Sequence, residues 1–290
     1  MQDVTLLQEA LPYFRRFKGT TFVVKIGGEA VRDRRTLDNF AEDIALLHSV
    51  GIRVVLVHGG GPQITELEKQ LGIATRMVGG RRVTDEASLR AVVMVLAGQM
   101  NVDICAAFRR QQIPAMGLCG VSAGIINARK RPPVKVSGGG EHPIDFGLVG
   151  DIVSIDTAPI ELLLANGMVP VISPLGSDEE GNYFNINADT SAARIAAALK
   201  AEKLLLTSAV PGVLTDPKDR TSLISQLTVA QAREVVRQGI ADGGMIPKIE
   251  EAVRALEMGV RRAHILSATE PHQLLMETFT QAGCGTMLVP

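Results

Sequence analysis

Two lysines in this 290-residue chain stand where a lysine is costly. Lys25 sits near the end of the apolar run Thr21–Ile26 (TFVVKI) and is followed closely by Gly27 and Gly28. Burying an ammonium there is unfavourable unless an anion meets it. The paired glycines let backbone N–H groups approach a ligand closely and form a nest that favours anions. Lys248 lies in Asp242-Gly243-Gly244-Met245-Ile246-Pro247-Lys248, within the first turns of a helical stretch. A cation opposes the positive end of a helix dipole unless an anion sits there. A second glycine turn, His58-Gly59-Gly60-Gly61-Pro62-Gln63-Ile64, again leads from an apolar run into a helix. A plain turn does not require three consecutive glycines, which cost backbone entropy, whereas amides at a helix N-terminus suit phosphate or carboxylate. The turn has neither the GK[ST] of a Walker A loop nor GxGxxG spacing. His58 itself reads as structural.

Two further segments add polar groups. Gly80-Arg81-Arg82-Val83-Thr84-Asp85 precedes a helical stretch and offers an arginine able to fork onto a carboxylate. Taken alone, the plainer reading is a solvated pair at a helix start. Asn185, Asn187 and Asp189 alternate just before an alanine-rich helix. One of them suffices as a cap, while an extended lead-in would aim all three one way. Two lysines, two glycine turns, a carboxylate, two amides and an arginine suit holding or moving phosphate between anions, chemistry that rests on positioning and charge neutralisation. The sequence offers no evident Ser–His–Asp constellation and no His/Cys metal cluster. Cys105, Cys119 and Cys284 are odd in number and far apart, and read as reduced thiols.

The elements that must position these residues recur along the chain. Short apolar runs at 21–26, 53–57, 113–118, 168–173, 203–207 and 262–266 lack alternation, which suits strands covered on both faces. Helical periods lie between them, at Leu37–Leu47, Leu89–Leu96, Ala192–Leu199 and Ile249–Leu256. Strands alternating with helices predict a mainly parallel sheet inside a three-layer α/β sandwich. Arg129–Gly150, with paired prolines and a triple glycine, reads as a β-hairpin or flap, and Ser177–Phe184 as a turn between two strands. A lobe boundary is placed near 180, dividing 1–180 from 181–290, with one sheet shared by both lobes. The charges nearly cancel, 30 basic against 31 acidic, and aromatic residues are 3%, which argues against a nucleic-acid surface. Without a run of about 18 apolar residues no membrane span is expected. The N-terminal segment lacks the pattern of a secretory signal, so the cytosol is the expected compartment.

With these residues in view, the chain resembles the amino acid kinase family, and most closely its N-acetylglutamate kinases. The resemblance runs from about residue 9 to the C-terminus. It rests on KIGG at 25–28, HGGGPQI at 58–64, RVTD at 82–85, NINAD at 185–189 and GGMIPK at 243–248, in the family's order and spacing. It implies an αβα sandwich with an acyl amino acid lobe, followed by a MgATP lobe. The implied reaction is phosphorylation of the γ-carboxylate of N-acetyl-L-glutamate in arginine biosynthesis. Mg²⁺ is carried mainly by ATP, and no prosthetic group is implied. Residue by residue, the resemblance gives Lys25 and Lys248 the transferring phosphoryl group, with Asp189 orienting both. Gly27, Gly28 and Gly59–Gly61 hold phosphate oxygens and the reacting carboxylate, with Gly60 and Gly61 on the substrate side. Arg82 and Asn185 grip the substrate, and Ser208, Gly212 and Gly244 join the nucleotide site. A helix over about 3–17 resembles that of arginine-inhibited hexameric members, and 277–287 resembles their effector segment. An L-arginine site at Tyr13, His264, Glu277 and Gly283 is therefore expected, in a homo-oligomer that is a dimer or a trimer of dimers.

The chain departs from the family pattern in places. Ala209 in Ser208-Ala209-Val210-Pro211-Gly212 replaces an expected acidic residue, Gly120-Val121-Ser122 replaces G-K-D, and Ser267-Ala268-Thr269 replaces a D-G-R-like stretch. Two alternatives stay open on sequence: a kinase for a related acyl amino acid such as an aminoadipate derivative, and a non-catalytic arginine-sensing domain.

Overall fold

The computed structural model describes residues 2–135, 142–241 and 243–290. An eight-stranded sheet runs in the order Gln226–Thr228, Thr286–Val289, Arg262–Ser267, Lys203–Ser208, Thr21–Ile26, Arg53–His58, Val169–Ser173, Ala115–Cys119. Every neighbouring pair is parallel except Arg262–Ser267 with Thr286–Val289. The expected strands are all present, extended by a residue or shifted at their ends, and the two short strands at 226–228 and 286–289 join them.

The unalternating apolar runs are explained by two cores, one on each face. Successive residues of a strand point to opposite faces. Accordingly Val23, Val55 and Leu204 belong to one core, while Phe22, Val24 and Leu205 belong to the other. Helices Ala158–Ala165, Ala188–Ala198, Val229–Arg237 and Met245–Glu257 contribute to the first core, and Arg34–Ser49, Gln273–Phe279 and the long helical run from Glu86 contribute to the second. This is the expected three-layer sandwich, with strands of both halves of the chain in one sheet. Start signals are local. Asp33 accepts from Thr36 N at 2.7 Å, and Thr228 with Gln231 forms a capping box.

The helix Gln2–Phe17 lies over the second core. Phe17 meets Phe22 edge-on at 5.3 Å, and Phe14 meets Phe279 at 4.8 Å. Glu86–Arg110 is one continuous helical run of 25 residues with a π-helical stretch at Met94–Met100. Its 18-residue window reaches a mean hydropathy of 1.7, so by length and composition it could cross a membrane, which the sequence reading did not anticipate. Half of that window is buried, with Leu89, Val92, Leu96 and Ile104 in the second core.

A smaller sheet pairs Tyr183–Asn185, Leu175–Ser177, Ile126–Lys130 and Gly150–Ile155 in that order. The flap expected at 129–150 is the antiparallel connection between its last two strands, carrying a bridge from Val134 to Ile144. Its segment 136–141 lies outside the described residues, as does Asp242. The turn expected at 177–184 joins the first two strands. A hairpin missing from the sequence reading, Arg76–Val78 with Arg81–Val83, turns on Gly79 and Gly80, both at positive φ. A Gly-Gly pair between short runs is a hairpin signal.

Candidate active site

In open α/β sheets, ligands gather at the carboxyl ends of the strands, and the predicted residues emerge there. Ile26 pairs with His58 in parallel register, so the turns beginning at Gly27 and Gly59 leave the sheet side by side. On the other side of Thr21–Ile26, the Thr207 hydroxyl accepts from Gly27 N at 3.3 Å. A cleft of about 470 Å³ opens above these ends, lined by Lys25, Gly27, Gly28, Ser208, Gly244 and Lys248, with Ala209, Thr207, Ala268 and Thr269 among the rest.

Asp189 joins the lysines. Lys25 Nζ lies 2.9 Å from its Oδ1, and Lys248 Nζ lies 2.9 Å from its Oδ2. The fold brings three distant segments to this point. Lys25 leaves a central strand, Lys248 stands one turn into Met245–Glu257, and Asp189 opens Ala188–Ala198. Asn187 caps that last helix, its side chain accepting from Asp189 N and Thr190 N. Of the alternating trio, Asn187 is thus the structural member. Burial would raise Asp189, but the two ammonium groups and their hydrogen bonds outweigh it and hold its carboxyl at about 2. Burial and the neighbouring Lys25 charge bring Lys248 down to about 8.

The glycines divide into two kinds. A Cβ on Gly28 would come 2.5 Å from Gln63 Oε1 and 2.9 Å from Gly60 Cα, and one on Gly60 would come 2.7 Å from Leu96 Cδ2. These two glycines let the turns and the long helix interlock. Gly61 faces open space, and Gly27 has only Lys25 Nζ at 4.0 Å. Gln63 Nε2 donates to Gly28 O at 2.6 Å and ties the turns together. His58 is fully buried and its imidazole is held near 4 by burial, so it is neutral, in keeping with a structural role.

Arg82 is not free. It pairs with the buried carboxylate of Glu68, and its Nη2 donates to Thr65 Oγ1 at 2.7 Å and to Gly61 O at 3.3 Å. Asn185 Nδ2 donates to Thr84 Oγ1 at 3.2 Å. Gly212 does not line the cleft. It is packed on the strand at 286–289, where a Cβ would meet Thr286 Oγ1 at 2.5 Å. The sequence reading missed Glu68, Gln63 and Thr207. For Glu68 a signal existed, because it lies four residues from buried Ile64 on the same helical face.

On the face of the sheet that carries the second core, His264 Nδ1 lies 2.6 Å from Glu277 Oε1, while Cys284 N and Gly285 N donate to Glu277 Oε2 at 2.8 and 2.9 Å. Burial lowers His264, while the hydrogen bond to Glu277 works the other way. A Cβ on Gly283 would touch Glu277 Oε2 at 2.9 Å, and Tyr13 lies 6.3 Å from Phe17, ring to ring. Beside them the buried ammonium of Lys203 sits 5.0 Å over the Phe17 ring.

Fold and cleft together define a site at the carboxyl ends of the strands, and comparison with known proteins gives the family. Residues 20–267 match the amino acid kinase family, and the chain belongs to it. Among its relatives, the acetylglutamate kinase of Archaeoglobus fulgidus is 44% identical over 290 residues, all of both chains. The N-acetylglutamate synthase of Neisseria gonorrhoeae, solved with coenzyme A and N-acetyl-glutamate, is 32% identical with a TM-score of 0.85. The same synthase solved with coenzyme A and L-arginine gives 30% and 0.82. This chain is covered to 99% in both alignments but spans only 63% and 65% of those synthase chains.

Proposed function

We propose that this protein transfers the γ-phosphoryl group of ATP to the γ-carboxylate of N-acetyl-L-glutamate, giving N-acetyl-L-glutamyl 5-phosphate and ADP, within arginine biosynthesis. The observation that carries the reading is the bridge Lys25–Asp189–Lys248 at the mouth of a cleft built on two glycine turns. Full-length relatives that act as acetylglutamate kinases supply the substrate. A carboxylate nucleophile is ionised at neutral pH and needs no general base. Its attacking oxygen forms the new P–O bond as the bond to the ADP oxygen breaks. The obstacle is repulsion between anions, which ammonium groups, amide N–H groups and the Mg²⁺ carried by ATP offset.

In this reading Lys25 and Lys248 neutralise the moving phosphoryl group, and Asp189 holds both beside itself and aimed at it. Gly27, Gly59 and Gly61 present backbone to phosphate or carboxylate, with Gly28 and Gly60 allowing the turns to meet. Ser208 and Gly244 border the nucleotide. Arg82 and Asn185 hold the acyl amino acid. The lobe of 1–180 takes that substrate and 181–290 takes MgATP. Against the arginine-sensing alternative stands the intact ion-paired bridge, which a site with no phosphate to move does not require.

The same reading includes feedback by L-arginine at His264, Glu277, Gly283 and Tyr13, where Glu277 offers a carboxylate to a guanidinium and Lys203 an ammonium to a carboxylate. It also includes a homo-oligomer. The edge strand Ala115–Cys119 leaves Met116 and Gly117 exposed, and Met94 and Val102 stand exposed on the adjoining helical run. The cytoplasm is the proposed compartment. Acyl phosphate formed with MgATP and trapped by hydroxylamine tests the activity, with glutamate, N-acetylaspartate and N-acetyl-aminoadipate each tried in place of N-acetyl-L-glutamate. Signal confined to N-acetyl-L-glutamate is expected. Folded protein that binds L-arginine but forms no hydroxamate would overturn the reading.

A further inference from the structure

Glu68 lies in the interior of the substrate lobe with its side chain wholly removed from solvent. Ordinary packing favours an apolar residue there, because Glu68 shares a helical face with Ile64, one turn earlier in Gly61–Gln70. A buried carboxylate costs several kcal/mol unless its oxygens are matched, and both are. Oε2 accepts from Arg82 Nη1 and from the Thr75 hydroxyl, and Oε1 accepts from the Ser88 hydroxyl. These donors come from separate pieces of chain: the 76–83 hairpin, the loop before it, and the first turn of the helix that starts at Glu86.

The other half of the guanidinium is fixed as well. Nη2 reaches Thr65 Oγ1 and the carbonyl of Gly61, the last glycine of the second turn. Arg82 is thereby held against that turn rather than left to swing on its stem. Three of its contacts are taken, and a guanidinium has five N–H donors, so donors remain for a ligand. Holding a long, rotamer-rich side chain in place before the ligand arrives removes an ordering cost from binding.

We infer that Glu68 is a positioning residue for the acyl amino acid. It acts through Arg82, anchoring the guanidinium beside the second glycine turn so that the substrate's carboxylate meets it in place. The inference rests on the proposed role of Arg82, and the experiment separates the two. Glu68→Leu, Glu68→Gln, Arg82→Ala and the double variant Glu68→Leu/Arg82→Ala are compared for kcat, for KM of N-acetyl-L-glutamate and ATP, and for thermal midpoint.

Glu68→Leu should raise the N-acetyl-L-glutamate KM about tenfold, with kcat and the ATP KM within about twofold of the parent. Glu68→Gln keeps an acceptor for Arg82 and should raise the same KM about two- to fivefold. The double variant should be no worse than Arg82→Ala alone, since residues acting through one another are not additive. A purely structural pair would lower the midpoint and leave both KM values in place. If Arg82→Ala raises the KM while Glu68→Gln and Glu68→Leu do not, the positioning role is wrong. If Arg82→Ala leaves the KM unchanged, it is the role of Arg82 that fails. Should Glu68→Leu not fold, Glu68→Gln, which keeps the shape, decides the matter.

Discussion

Replacing Asp189 by Asn leaves two ammonium groups facing each other across an uncharged amide. Lys25 and Lys248 each lie 2.9 Å from a different oxygen of the Asp189 carboxylate. In the variant Lys248 loses the attraction of a unit negative charge about 4 Å away, worth roughly 3 kcal/mol at an effective dielectric constant of about 30. Divided by 1.36 kcal/mol per unit, that is about 2 pKa units. Lys248, already brought down to about 8, should then titrate near 6 in the free variant, by roughly this Coulomb arithmetic. At pH 7.5 the protonated fraction falls from about three-quarters to about 3%, so kcat/KM for ATP should drop roughly 25-fold from protonation alone.

The assay is initial ADP release, quantified by chromatography, with saturating N-acetyl-L-glutamate from pH 5.5 to 9. For Asp189→Asn the descending limb should shift by about two units toward acid, and the deficit due to protonation should shrink to less than about twofold at pH 5.5. A variant profile parallel to the parent's, lower by a constant factor, would refute the charge argument. Asp189 would then be a spacer.

Other outcomes follow from the same geometry. In the parent protein Lys248 must stay protonated to neutralise phosphate, so kcat/KM for ATP should decline above about pH 8, and Lys248→Arg, charged throughout, should remove that limb from the pH–rate profile. Gly28→Ala places a Cβ 2.9 Å from Gly60 Cα, and should cost about 1–3 kcal/mol in denaturant titrations through overpacking. Gly61 faces open space, so Gly61→Ala should leave the denaturation midpoint unchanged while lowering activity. Glu277→Gln should raise the L-arginine concentration for half-inhibition at least tenfold, measured beside an uninhibited rate within about twofold of the parent.

Much of this fold was legible because both faces of its sheet are covered. The centres of runs such as Thr21–Ile26 and Lys203–Ser208 are apolar without alternation, as a strand buried on both faces requires. The shortest strands of the large sheet were not legible, since Gln226–Thr228 and Thr286–Val289 span three and four residues and gain their form from neighbours. Within the site, Lys25 and Lys248 stood out because a lysine at a strand end or helix start implies an anion. Residue types and spacing alone did not place Asp189 between them, because three segments far apart in the chain meet only in the folded sheet; that placement came from the family resemblance. Nor could it separate glycines needed for close packing, Gly28 and Gly60, from Gly61, which faces open space, since both kinds read alike as residues. Gly212 resembled a nucleotide contact by position, yet its neighbour is Thr286. Arg82 by itself read as one of a solvated pair and took a substrate role only from the resemblance, and its partner Glu68 escaped notice inside a helix that otherwise looks solvated.

Single-turnover transfer of label from [γ-³²P]ATP to N-acetyl-L-glutamate, with the parent protein and with Lys25→Ala, tests the central claim most directly. Labelled acyl phosphate should form in step with ADP, slowed roughly 10²–10³-fold by Lys25→Ala, the scale of losing one electrostatic stabiliser of the transition state. Label that remains on ATP or passes only to water in the parent, or transfer at equal rates in both proteins, would contradict it.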